Sequence, residues 1–119
     1  MRNFKNLIVW EKAMNLVKKI YLITSKFPDS EKFGLVSQMR RCSVSIPSNI
    51  AEGTSRNSDL DFKRFLEISI GSAFELETQL MLTNSLEYVT NDDFKICQEE
   101  LIEIQKMLNG FILKLIKKS

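Results

Sequence analysis

Six polar side chains, Gln38, Arg41, Ser45, Asn49, Glu52 and Arg56, follow one another at spacings of 3, 4, 4, 3 and 4, which sets them on one face of a helix. Ser43 and Ser48 fall near the edges of that face. Three chemistries compete for it. The first is a structural hydrogen-bond network, in which Glu52 pairs with Arg56 at i, i+4 and serine hydroxyls satisfy carbonyls freed by Pro47. The second is a binding surface for a nucleic acid or a protein, with Arg40, Arg41 and Arg56 as clamps for phosphate or carboxylate. The third is catalysis with Glu52 as base and a serine as nucleophile, for which neither a positioned base nor an oxyanion hole is visible. The 119-residue chain has no histidine, which removes His-based triads and His metal ligands. It has no glycine-rich phosphate loop, HExxH, CxxC or EF-hand pattern. The expectation is a protein without enzymatic activity, cofactor or metal.

Four helices must carry these residues. Hydrophobic residues make up 44% and charged residues 27% of the chain, a globular composition for one domain spanning 1–119. Val9, Ala13, Leu16, Ile20 and Ile23 form one face of a helix over about 7–25, with Asn6 as N-cap. Asp29 and Ser30 can start a second helix over about 31–54. Its apolar face is Leu35, Met39, Cys42, Ile46, Ile50 and Gly53, and it is kinked rather than broken at Pro47. Ser58 caps a third over about 59–88, with Phe62, Leu66, Ser69, Ala73, Leu76, Leu80 and Thr83 inward. Asn91 or Asp92 caps a fourth over about 92–117, with Phe94, Cys97, Leu101, Ile104, Leu108, Phe111 and Leu115 as its seam; Gly110 interrupts it at a cost of roughly 1 kcal/mol. Amphipathic helices with short connections predict an all-α, antiparallel up-and-down four-helix bundle.

The first helix carries more apolar surface than a bundle needs. Leu7, Trp10, Met14, Val17 and Tyr21 make a second seam, and Val36, Val44, Pro47 and Ala51 make a second, small-residue face on helix 2. Ile70, Phe74 and Met81 add to helix 3. Either Phe4 and Phe33 fold over a thicker core, or the chain self-associates through Trp10, Met14, Tyr21, Val44, Pro47, Ala51, Phe74 and Met81. Glu77 lies beside Phe74 and Met81, either solvated at the rim or paired with an arginine of helix 2 or of a neighbouring subunit.

The formal net charge of +2 splits unevenly. Residues 1–58 carry ten Lys/Arg and four Asp/Glu, whereas 59–119 carry seven and eleven. Either the halves neutralise each other in space or the first displays a basic face. Cys42 and Cys97 fall on apolar faces without metal spacing and read as buried thiols of a reducing compartment. No secretory signal or membrane span is visible, so the expected address is the cytoplasm.

The run Ser43-Val44-Ser45-Ile46-Pro47-Ser48-Asn49-Ile50-Ala51-Glu52-Gly53, with Arg56 beyond it, resembles the signature of the 23S rRNA-intervening sequence proteins, or S23-like four helix bundle proteins. Leu7-x-Val9-Trp10-x-Lys12-Ala13, Phe27-Pro28, Gly34-Leu35, Ser37-Gln38-x-Arg40-Arg41, Phe65-Leu66, Gly71-Ser72 and Glu75-Leu76-Glu77 support the resemblance. It implies small bacterial proteins, an up-and-down bundle and a ring-like homopentamer. A related accessory protein of diversity-generating retroelements is basic and binds nucleic acid and a reverse transcriptase. The family's own molecular function is not established. The leading expectation is an accessory protein that binds RNA or DNA through Arg40, Arg41, Arg56, Lys63, Arg64, Lys18 and Lys19. The alternative is a protein-interaction scaffold whose helix 2 stripe is a subunit or partner contact.

Overall fold

The computed structural model describes residues 2–118. A 3₁₀ turn, Phe4–Asn6, precedes α1 (Ile8–Thr24), and a second, Asp29–Glu31, precedes α2 (Leu35–Thr54). Then follow α3 (Asp59–Ser85) and α4 (Asn91–Lys118), with no strand among the described residues. α2 packs on α1 and α3, and α4 packs on α3 and α1. The helices therefore form the corners of a square in chain order, an all-α up-and-down four-helix bundle. Its long axis of 47 Å suits α4, whose 28 residues span about 42 Å at 1.5 Å per residue. α1 is shorter, at 17 residues.

The apolar seams lie where periodicity places them. All five α1 positions and all seven α3 positions are buried, as are Met39, Cys42, Ile46, Ile50 and Gly53 of α2. Leu35, Phe94 and Phe111 are only half-buried, and Ile112 takes up the burial in the last turns of α4. α2 passes through Pro47 without a break.

The helix ends differ from expectation because local side-chain chemistry decides them. Asn6 does not cap α1: it closes a 3₁₀ turn capped by Asn3, and Leu7 is extended between turn and helix. Asp29 and Ser30 open only a 3₁₀ turn, so α2 starts at Leu35, four residues later than the expected 31. Glu31 bridges this region, reaching the Leu35 N–H at 3.4 Å and accepting the Tyr88 hydroxyl at 3.2 Å. Ser58 caps α3 as expected, accepting the Asp61 N–H at 3.1 Å. At α4 the cap is Thr90, whose hydroxyl accepts the Asp93 N–H at 3.1 Å, rather than Asn91 or Asp92.

α3 ends at Ser85, not 88, in a Schellman turn. The Tyr88 N–H reaches the Thr83 carbonyl at 2.9 Å and the Glu87 N–H reaches Asn84 at 3.1 Å. The turn puts Glu87 at φ 62°, a left-handed conformation in which a Cβ is crowded. Tyr88 then packs on the Phe27 ring at 5.5 Å, fastening the α3–α4 turn over the end of α1.

Gly53 marks the tightest approach of α2 to α3. A Cβ there would lie 2.8 Å from the Phe65 Cβ and 2.9 Å from the Phe62 ring. Gly53→Ala should therefore lower stability by about 1–3 kcal/mol, as overpacking does. Glu87→Gly should raise it by about 0.5–1 kcal/mol by relieving the left-handed residue. Thermal melts of the two variants check both signs.

Candidate functional site

The polar stripe of α2 divides along its length. Its middle faces α3 and forms a hydrogen-bonded seam. Ser45 Oγ lies 2.9 Å from Ser72 Oγ, and the Asn49 amide donates to the Ser45 carbonyl at 2.8 Å and to its hydroxyl at 3.0 Å. Ser69 donates to the Ile46 carbonyl at 3.0 Å, and the Cys42 thiol donates to the Ser72 carbonyl at 3.1 Å. Small side chains let the two backbones meet here, and the hydroxyls satisfy groups that the close approach removes from water. Ser43 donates to the Arg40 carbonyl at 2.8 Å. The hydroxyls thus go to the carbonyls of Arg40 and Ile46 and to each other, rather than to the Ser43 carbonyl that Pro47 leaves without its usual donor. Ser48 is exposed.

Above this seam opens a polar groove of about 410 Å³ lined by Gln38, Arg41, Cys42, Ser45, Ser72 and Glu75. Glu75 also accepts the Gln79 amide at 3.3 Å. Burial, then the nearby Glu75 charge, pushes the Cys42 thiol up to about 12, and burial, then Glu100, pushes Cys97 up to about 11. Both thiols are neutral at physiological pH, which suits small buried hydrophobes rather than nucleophiles. The Glu52 carboxylate is exposed and takes no hydrogen bond from a serine among the described residues, so no Glu–Ser dyad is assembled.

The expected pairing of Glu52 with Arg56 is absent among the described residues. α2 ends at Thr54, so Arg56 is off the helix and lies over the Phe65 ring at 4.6 Å. Glu77 is half-buried, and its partner is Gln105 of α4, which donates at 2.9 Å, not an arginine.

The seven candidate cations do not share one face. Arg40 is spent on α1: it donates to Thr24 Oγ1 at 3.0 Å and to the Tyr21 carbonyl at 3.3 Å, and its guanidinium lies 4.6 Å from the Tyr21 ring centre. The Tyr21 carbonyl already accepts the Ser25 N–H at 3.2 Å, so Arg40 adds a charged donor at the C-terminal end of α1, where the helix dipole favours a cation. Lys19 pairs with Glu100 of α4, beside Lys12–Glu103 at 2.9 Å. Arg64 sits 3.9 Å from Asp61 in an exposed pair of little energetic weight. Arg41, Lys18 and Lys63 make no ion pair among the described residues.

Three ion pairs, Arg2–Asp59, Lys12–Glu103 and Lys19–Glu100, join the basic first half of the chain to the acidic second half. The split along the sequence is thereby largely folded away. A different one replaces it, along the bundle axis. The end that holds the starts of α1 and α3 and the close of α2 and α4 comprises residues 2–16, 46–72 and 106–117, with nine Lys/Arg and five Asp/Glu. The other end, 17–45 and 73–105, has seven and ten. Arg56, Lys63 and Arg64 lie at the positive end; Arg40, Arg41, Lys18 and Lys19 lie toward the negative one. Chain order hides this, because antiparallel helices return each end to the same place.

The apolar surplus is also sorted. Met14, Tyr21 and Val44 stay exposed at the α1–α2 edge, and Phe74 and Met81 at the α3–α4 edge. Trp10 is half-buried against the core with Phe4 edge-on at 5.1 Å, so the N-terminal strap covers it. Ala51 is half-buried beside the same strap. Pro47 is buried within the chain and offers no surface to a partner, which corrects its placement in an interface. Phe33 does not fold over the core; it is 89% exposed.

The profile of the family described as 23S rRNA-intervening sequence protein matches residues 5–110. The chain belongs to this family. A crystal structure of a protein with unknown function from the S23 ribosomal protein family of Bacteroides thetaiotaomicron VPI-5482 is similar at 28% identity and a TM-score of 0.82. The match covers 88% of this chain and 98% of that one. A comparison with curated proteins finds no match. In this member of the 23S rRNA-intervening sequence family, the run around Pro47 builds the α2 side of the α2–α3 seam. No described helix is long and apolar enough to cross a membrane.

Sequence reasoning missed the Glu31–Tyr88 bond and the role of Arg40 as a clamp on α1. Both join residues far apart in sequence, so no local pattern announces them. The thiols give the test for this region. In the folded chain, Cys42 and Cys97 should resist a thiol reagent at pH 8 and react only on unfolding. The unfolded thiols ionise near 9.0, whereas the folded ones stay protonated. Their contribution to stability is therefore full below pH 9 and lost as pH rises above it. Denaturant midpoints across that range should fall less in a Cys42→Ala, Cys97→Ala variant than in the parent.

Proposed function

We propose that this protein is a non-enzymatic, cytoplasmic accessory protein that assembles into a ring and binds structured RNA or DNA through one basic rim. The observation that carries the reading is the axial segregation of charge. In a square bundle the α1–α2 edge is opposite the α3–α4 edge. The exposed apolar residues Met14, Tyr21 and Val44 on one and Phe74 and Met81 on the other are different patches facing opposite ways. Two different patches favour head-to-tail contact, which closes into a cyclic ring when the rotation permits. Every copy in such a ring points the same way, so the positive ends gather on one rim. The ring-like pentamer implied by the family resemblance is one such closure. Two free buried thiols suit a reducing compartment.

At the positive end, Arg56, Lys63 and Arg64 are the phosphate contacts, with Lys5 and Lys117 at the same end of the bundle. Arg40 and Lys19 are withdrawn from this role by their internal bonds. The protein-scaffold reading has its own support in the groove beside Arg41 and Glu75: Arg41 is exposed and makes no ion pair among the described residues, and Glu75 is exposed with the Gln79 amide on one carboxylate oxygen.

Phe74→Glu with Met81→Glu should convert the assembly to monomers in sedimentation while leaving helical content unchanged; an unaltered assembly would remove this interface. Charge reversal at Arg56, Lys63 and Arg64 should abolish retention of a structured RNA with the assembly intact. Reversal at Arg41 alone should leave retention within about twofold. Loss of RNA binding in the Arg41 variant, but not in the triple variant, would place binding at the groove instead.

A further inference from the structure

A second surface lies on the α1–α4 face, away from both apolar edges. A groove of about 430 Å³ opens where α1 begins, walled by Leu7, Ile8 and Val9 on one side and by Met107, Gly110, Phe111 and Lys114 of α4 on the other. The four α4 residues stand at i, i+3, i+4 and i+7. That is the four-residue hole into which a facing helix inserts one side chain in knobs-into-holes packing. α1 cannot supply the knob. It starts only at Ile8, and Leu7 before it is extended.

Gly110 is the second observation. Its backbone does not have positive φ, and a Cβ built on it would meet nothing within 4 Å. Neither conformation nor packing within the chain calls for glycine at this helix-interior position, where it opposes helix formation. Its absent side chain leaves the floor of the hole open. Gly71 is equally uncrowded but lies exposed on α3, outside every groove described above. The mouth carries Lys114, which makes no ion pair among the described residues, at the positive end of the bundle. Ile8 stands 63% exposed on the rim.

We infer that this groove receives one apolar side chain from an acidic amphipathic helix of a partner protein. The hole sets the helical register, Leu7, Val9, Met107 and Phe111 supply the apolar walls, and Lys114 selects a carboxylate beside the inserted residue. The inference does not depend on the ring. The groove sits on neither edge assigned to subunit contact, so it stays open in the monomer and in the assembly.

The test uses the full chain and a labelled helical peptide of about twelve residues, with leucines four apart flanked by glutamates, and a twin with lysines for the glutamates. By fluorescence anisotropy the acidic peptide should bind, and the basic twin should bind at least tenfold more weakly. Gly110→Leu should weaken the acidic peptide at least tenfold, and Lys114→Glu several-fold. Gly110→Ala should raise the melting temperature, showing that the position tolerates a side chain. The proposal is overturned if the acidic peptide fails to bind at ~100 μM, or if neither variant weakens it. It is also overturned if laurate fills the groove and the peptide does not, or if Gly110→Leu dissolves the assembly, which would make the groove a subunit contact.

Discussion

The close crossing of α2 over α3 governs the rest of the structure. Gly53 has no room for a Cβ beneath Phe62 and Phe65, and a few residues along, Ser45, Ser69 and Ser72 replace bulky side chains with hydroxyls that bond across the gap. Two helices brought this near would leave polar groups buried if their contact were merely apolar and small. The serines remove that cost and fix the register. Phe62, held by Gly53, packs edge-on against Phe111 of α4 at 5.2 Å and lies under Arg2 at 4.5 Å. One contact therefore locates α4 and the N-terminal strap as well. The run Ser43 to Gly53 is mostly the α2 side of this crossing, and Ser45 and Gly53 are used in packing it against α3.

Charge is arranged at two levels. Locally, basic residues of α1 and the strap pair with acidic residues of α3 and α4, which cancels most of the sequence's asymmetry. Globally, what is left over runs along the bundle axis. Individual surface pairs contribute little to stability, but a summed field at one end acts on approaching polyanions over roughly a Debye length.

The bundle was legible in the sequence because burial follows a 3.6-residue period that no tertiary contact has to override. The seven inward positions of α3 show this, and so does Ser58 at its cap. Helix starts were less legible where several capping residues stand together: Thr90, Asn91 and Asp92 all qualify by type, and only geometry selects Thr90. The site was legible by type and not by partner. The polar stripe was found, yet Arg56 left it for Phe65 because the helix ends two residues earlier, and Arg40 turned to α1. Axial charge could not be read from chain order, since it exists only once antiparallel helices are laid side by side.

The salt dependence of RNA binding by the unaltered protein tests the central claim most directly. A rim of lysines and arginines releases counterions in proportion to the phosphates it neutralises, so the logarithm of the binding constant should fall linearly and steeply with the logarithm of salt between ~50 and ~200 mM. A flat response, or no retention at the lowest salt, would contradict a basic rim that binds nucleic acid.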